Sequence, residues 1–191
     1  MTKAIITSYP NGKMAAKEWK KDGKPHREDG PAWIGYGPNG KIFGKSWCID
    51  GLKHRTGSPA SLRYHTNGKT HITTWYENGK RHKMDGAAFT EYYENGKIQE
   101  EQWYENGVHH RIDGPTCIVY YKNGGIEKNV WYENGKRHKM DGAAFTEYYE
   151  DGSIRSEEWH KNGHNITGDV KMFLETMSVD SDEFKFSLEM L

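Results

Sequence analysis

Aliphatic residues are scarce in this chain. Leu, Ile, Val and Phe supply only 28 of its 191 residues, below the roughly one-fifth that separates ordinary folded chains from disordered ones when net charge is high. Net charge is missing too, because 27 basic side chains balance 27 acidic ones. Without charge repulsion, the shortage of aliphatics does not imply disorder. Seven Trp and twelve Tyr can bury the surface that aliphatics usually provide, so a folded chain with a thin aromatic core is expected. The charge balance also argues against nucleic acid and against bulk attraction to anionic membranes. No run approaches the roughly 18 apolar residues of a transmembrane segment, and the opening MTKAIITSYPNG has too short an apolar stretch for a signal peptide.

What is present is a period. Trp19, Trp47, Trp75, Trp103, Trp131 and Trp159 recur every 28 residues. Gly23, Gly51, Gly79, Gly107, Gly135 and Gly163 follow in the same phase, each preceded by Asn or Asp. A second turn pair recurs at Asn39-Gly40, Asn67-Gly68, Asn95-Gly96, Asn123-Gly124 and Asp151-Gly152. Self-similarity at such a fixed interval marks a repeat array, and it moves the functional question from a pocket to a long, repetitive surface. Residues 75–94, WYENGKRHKMDGAAFTEYYE, return unchanged as residues 131–150. This internal duplication is tolerable where each repeat contacts only its neighbours.

The turns phase the chain into hairpins. AAFTEYYE (87–94) is β-prone, Asn95-Gly96 is a tight-turn signal, and KIQEEQWYE reads as a return strand ending at Asn106-Gly107. The same reading fits 31–50, 59–78, 115–134 and 143–162, with an N-terminal version from Ala4 to Trp19. A connector of the form K-x-H-R-x-D-G-P-A, as in Lys24 to Ala32, joins the hairpins through turn-rich linkage. The predicted fold is therefore all-β, an elongated array of antiparallel β-hairpin repeats forming an open single-sheet meander or a solenoid. Tandem repeats occupy 1–169, with two or three strands each. Residues 170–191 read as a capping hairpin, because Phe184, Phe186, Leu188 and Met190 alternate with polar residues. A short helix over 181–191 is the alternative. Cys48 and Cys117 fall in different repeats and different columns, too far apart for a disulfide, which fits a reducing, cytoplasmic setting.

The strings YYENGKIQEEQWYENGVHHRIDGP (92–115) and YYEDGSIRSEEWHKNGH (148–164) resemble the MORN repeat superfamily, most closely its bacterial variant in antitoxin-like and secreted proteins and its phage and viral versions. The resemblance covers residues 4–170. It implies stacked antiparallel hairpins without enzymatic chemistry of their own. The 28-residue unit, with its H-R-x-D-G-P connector, is longer than the common one. That departure sets this chain apart from the eukaryotic members for which a lipid-binding role is proposed.

Candidate chemistry concentrates in the connector. His26, His54, His82, His110 and His138 form one column. Repeats stepping by about 9.6 Å, two strand spacings, keep neighbouring His rings from sharing a metal whose ligands must lie about 2.1 Å from one centre. No metal site and no cofactor are expected, and a His that hydrogen-bonds the connector is the leading reading. Arg27, Arg55, Lys83, Arg111 and Lys139 form the next column, followed by Asp29, Asp85, Asp113 and Asp141, with Gly57 in the second repeat. These Asp residues read as turn caps that pair with the basic residue. The alternative is a basic stripe for phosphate or a carboxylate-rich partner. The aromatic columns read as core, with stacking of sugars as the alternative. Four variable windows, 43–46, 71–74, 99–102 and 127–130, read as solvated positions that set partner specificity. No nucleophile constellation, P-loop or dinucleotide fingerprint is present, so an enzyme is not expected. The expected function is a non-catalytic protein-binding module, an inhibitor, antitoxin-like or adaptor protein acting through an extended face. A binding array for anionic lipid headgroups or glycans is the alternative.

Overall fold

The computed structural model describes residues 3–176, and these are almost entirely β. The chain divides into two compact units, Met1–Gly107 and Val108–Leu191. In the first unit, Ile5–Ser8, Met14–Glu18, Trp33–Tyr36, Ile42–Ser46, Ser61–Tyr64, Thr70–Thr74, Phe89–Tyr92 and Ile98–Gln102 pair in sequence order as an antiparallel meander. In the second unit, Cys117–Tyr120, Ile126–Val130, Phe145–Tyr148 and Ile154–Glu158 do the same. Neither run pairs its first strand with its last, so both meanders are open. Among the described residues, no helix is long and apolar enough to cross a membrane.

The two kinds of Asn-Gly pair do different work, and this corrects the expected strand ends. At Asn95-Gly96 only the glycine has a positive φ, +93°. Tyr93 N–H donates to Lys97 O at 2.9 Å, Gly96 N–H donates to Tyr93 O at 2.8 Å, and the ladder shifts register between Glu91 and Tyr92. This is a turn with a bulge, which Asn95 Oδ1 supports by accepting the Lys97 N–H at 2.9 Å. At Asn78-Gly79 both residues have positive φ, +48° and +81°, the signature of a two-residue type I′ turn. That turn does not end the return strand. The strand stops at Thr74, before Trp75, and the second pair closes a separate clip in which Tyr76–Glu77 pairs with Lys80–Arg81. Clips at 20–25, 48–53, 132–137 and 160–165 repeat the pattern. Each repeat therefore has four strands, two long and two short, rather than two or three.

The most enclosed positions are mainly small residues, with Ile118, Val130 and Val170, rather than the aromatics expected. Ala32, Ala60, Ala88 and Ala144 have no exposed surface. Each of their carbonyls accepts the N–H of the Trp that opens its own clip, at 2.7–2.8 Å. This bond lays the end of each connector against the start of its clip, in a column where a small side chain is enclosed. Thr74, Thr90, Thr116 and Thr146 are also buried, whereas all six column Trp residues are half-buried. The variable windows differ from expectation as well. They lie in long return strands whose residues are mostly half-buried, and Gly44, Thr74 and Val130 are fully buried. These windows are therefore partly enclosed rather than freely solvated.

The array ends differently from the hairpin expected over 170–191. Residues Thr167–Thr176 form a helix. Asn165 Oδ1 accepts the Thr167 N–H at 2.9 Å, Val170 N–H donates to Ile166 O at 3.0 Å, and Asp169 sits in the first turn, a favourable start for a helix. Val170 is buried. Thr167 Oγ1 accepts the Trp159 N–H at 2.9 Å, the bond that an alanine carbonyl accepts from Trp19, Trp47, Trp75 and Trp131. Residues 177–191, which contain the alternating Phe184–Met190 stretch and the alternative helix, lie outside the described residues.

Candidate interaction surface along the connectors

Four clips are tied to the repeat before them through the connector histidine. The Nδ1 atoms of His26, His54, His82 and His138 accept the backbone N–H of Asp50, Asn78, Asn106 and Asn162 at 3.0, 3.3, 3.3 and 3.1 Å. The donor is in each case the first residue of the next clip's type I′ turn. The following glycine adds a parallel bond, with Gly51, Gly79, Gly107 and Gly163 N–H donating to Pro25, Lys53, Arg81 and Arg137 O at 2.8 Å. An acceptor at Nδ1 puts the proton of a neutral ring on Nε2. That nitrogen lies 3.6, 3.7 and 3.1 Å from Glu28, Glu77 and Glu133 in His26, His82 and His138. Asp50 Oδ1 also lies 2.9 Å from His26 Nδ1. His110 occupies the same column and is exposed. Among the described residues, no group of three or more His, Cys, Asp and Glu side chains is placed to hold a metal. Burial pushes the Cys48 thiol above its ordinary range, which keeps it protonated.

His26 is the most enclosed of these histidines. His26→Ala leaves the Asp50 N–H without its acceptor and is expected to cost about 1–3 kcal/mol. A urea titration followed by circular dichroism measures this, and an unchanged midpoint would remove the histidine from the inter-repeat tie.

The basic column lies over the Trp column. Arg27 and Arg55 Cζ lie 4.1 and 4.0 Å from the Trp19 and Trp47 ring centroids, and Lys83 and Lys139 Nζ lie 4.7 and 4.6 Å from those of Trp75 and Trp131. These are cation–π distances. Further bonds hold heads of this column: Arg27 Nε donates to Asp29 Oδ1 at 2.8 Å, Arg55 Nη1 donates to Pro59 O at 3.3 Å, and in the fourth repeat Arg111 Nη1 donates to Pro115 O at 3.1 Å. The Arg27 hydrogen bond and charge hold the Asp29 carboxyl below its ordinary range. The column thus stands as a row of lids over Trp rings rather than as a free stripe.

Clefts open between successive connectors. One of about 650 Å³ has Arg27, Asp29 and Pro31 on one wall and Trp47, His54 and Arg55 on the other. The next, about 430 Å³, faces Arg55 and Gly57 against Trp75, His82 and Lys83. In the second unit, about 180 Å³ separates His138, Lys139 and Met140 from Trp159 and His160. Two residues after the histidine stand side chains that sequence reasoning did not single out, and two of them, Met84 and Met140, line these clefts. Met84 is 88%, Ile112 83% and Met140 63% exposed, where the first two repeats carry Glu28 and Thr56. The available signal was an apolar residue placed directly before Asp-Gly in a polar connector.

Residues 87–106 match a protein-family model described as MORN repeat variant, a span that runs from one long outgoing strand to the turn of the next clip. No curated protein matches the chain. The matched segment is one of several hairpins that share the 28-residue phase within each unit, so the chain is similar to MORN-repeat proteins, with a longer unit.

Proposed function

We propose that this chain is a non-catalytic protein-binding module, acting as an inhibitor, antitoxin-like or adaptor protein, and that its partner lies along the connector edge. MORN repeats are binding modules, which supports the general class. The observation that carries the specific reading is the column of Met84, Ile112 and Met140, whose exposed apolar side chains stand at one position of three repeats. Large exposed apolar side chains that recur in a set mark interaction sites. The clefts beside Met84 and Met140 supply polar contacts through His54, Arg55, His82, Lys83, His138 and Lys139; Arg27 lines the cleft between the first two connectors, and His26, His110 and Arg111 complete the columns in the other repeats. A protein partner is favoured over an anionic lipid because Asp85, Asp113 and Asp141 directly follow the three apolar residues and would repel headgroup phosphates. It is favoured over a glycan because Arg or Lys already covers the Trp rings. Cys48 and Cys117 are not joined in a disulfide, which fits a reducing, cytoplasmic setting.

The test is the triple variant Met84→Asp/Ile112→Asp/Met140→Asp. Exposed substitutions of this kind change stability by no more than about 0.5 kcal/mol, so the unfolding midpoint should hold. Immobilised wild-type chain should retain a defined protein from host lysate, identified by mass spectrometry, and the variant should lose it. Equal retention by the two would remove the connector edge from the binding surface, and wild-type sedimentation with anionic vesicles would favour the lipid reading.

A further inference from the structure

We infer that this chain assembles head to tail with further copies of itself, the free edge of Ile154–Glu158 in one copy pairing with the free edge of Ile5–Ser8 in the next. Among the described residues, each of these strands is paired on one side only. Every residue of Ile5–Ser8 is exposed, Ile5 and Ile6 by 49% and 55%, and so are the first four residues of Ile154–Glu158. Open edges of this kind are templates for another strand.

The chain itself shows what such a return-strand edge accepts. Four times a return strand pairs with the next outgoing strand in one register: Glu18 with Trp33, Ser46 with Ser61, Thr74 with Phe89 and Val130 with Phe145. Continuing the 28-residue step places Glu158 opposite Ile5, Glu157 opposite Ile6 and Ser156 opposite Thr7. The same step would draw the next outgoing strand from residues 173–176, but those residues belong to the helix. A second copy's Ile5–Ser8 has the phase and direction that this edge lacks. The clips can follow, with Gly23 N–H reaching Asn165 O as Gly51 reaches Pro25. Only the histidine bond is lost, because Ile166 holds that column.

Charge separates the two ends although the whole chain is neutral. Residues 3–24 carry six lysines against Glu18 and Asp22, a net charge of +4. Residues 145–158 carry Glu147, Glu150, Asp151, Glu157 and Glu158 against Arg155, a net charge of −4. Like ends repel and unlike ends attract, which selects head-to-tail over symmetric pairing. Such a contact is heterologous, so it produces open chains or closed rings rather than a two-fold dimer.

The test is sedimentation of the full chain at low salt across a concentration series. The average mass should rise with concentration, and should fall back to the monomer value at high salt as screening removes the attraction. Glu157→Lys/Glu158→Lys should stay monomeric throughout while keeping the wild-type circular dichroism spectrum. Register is read by disulfide trapping in a Cys48→Ala/Cys117→Ala background. The inferred Glu158/Ile5 pair corresponds to Ser46/Ser61, which lies one residue outside the bonded Trp47/Ala60 pair. It is therefore a non-hydrogen-bonded pair whose Cα atoms sit about 4.5 Å apart, within disulfide reach. Ile5→Cys/Glu158→Cys should give a ladder of covalent multimers, and Ile5→Cys/Glu157→Cys, with its thiols on opposite faces, should not. A monomer at every concentration in low salt would overturn the inference. So would a disulfide closed within one chain, equal ladders from the two cysteine pairs, or dimers formed by Ile5→Cys alone.

Discussion

Trp75→Ala should lower stability by about 3 kcal/mol. The backbone of Trp75 is fixed at both ends, its N–H donating to Ala88 O at 2.7 Å and its O accepting from His82 N–H at 3.3 Å. Alanine can keep both bonds. What disappears is the indole, which lies half-buried beneath Lys83 Nζ. A Trp ring buries on the order of 150–250 Å², and truncation of a buried one costs about 3–5 kcal/mol. The lower end applies because this ring is not fully enclosed. The chain has few aliphatics to collapse into the space, and Ala87 and Ala88, buried at the end of the connector, are too short to fill it. Urea unfolding read by far-ultraviolet circular dichroism measures the loss. If stability held and only partner binding fell, the Trp column would be an exposed ladder and the lids of Arg and Lys would not matter to the fold.

The 28-residue period was legible because the Trp and both glycine columns never break phase. That was enough for the all-β hairpin class. The strand ends were not legible because Asn95-Gly96 and Asn106-Gly107 share the same letters. Only the backbone separates a bulged turn, with one positive φ, from a type I′ turn with two. The role of the histidine was partly legible: connector bonding was expected, but its acceptor role spans 24 residues into the next repeat, and local sequence carries no sign of that. The basic column was read without the ring beneath it, since Arg27 and Trp19 are eight positions apart and meet only once the clip has folded back. The alanine column looked like a linker feature. It became the most enclosed part of the core only when each carbonyl was found opposite a Trp N–H. At the C-terminus, Ile166 and Thr167 stand where His and Arg or Lys stand elsewhere. Their departure from the columns signalled that the repeat stops, and the Asn165 cap and Asp169 explain why a helix follows.

The most direct test of the account, in which one 28-residue module is tied only to its neighbours, is a pair of deletions. Removing 75–130 joins Thr74 to Trp131 and takes out two whole periods. Because residues 131–150 repeat residues 75–94 without change, Thr74 is still followed by the same twenty residues. Thr74 can pair with Phe145 as it pairs with Phe89, and His54 Nδ1 can accept the Asn134 N–H as it accepts that of Asn78. Removing 75–116 instead joins Thr74, at the end of a return strand, to Cys117, at the start of an outgoing one. That junction deletes the clip and connector that reverse the chain and breaks the alternation of strand direction and facing. Thermal unfolding followed by circular dichroism should show a cooperative transition and wild-type-like β signal for the first deletion. For the second it should show aggregation or no transition. If both deletions folded equally well, or if neither folded, the 28-residue module would not be the structural unit of this chain.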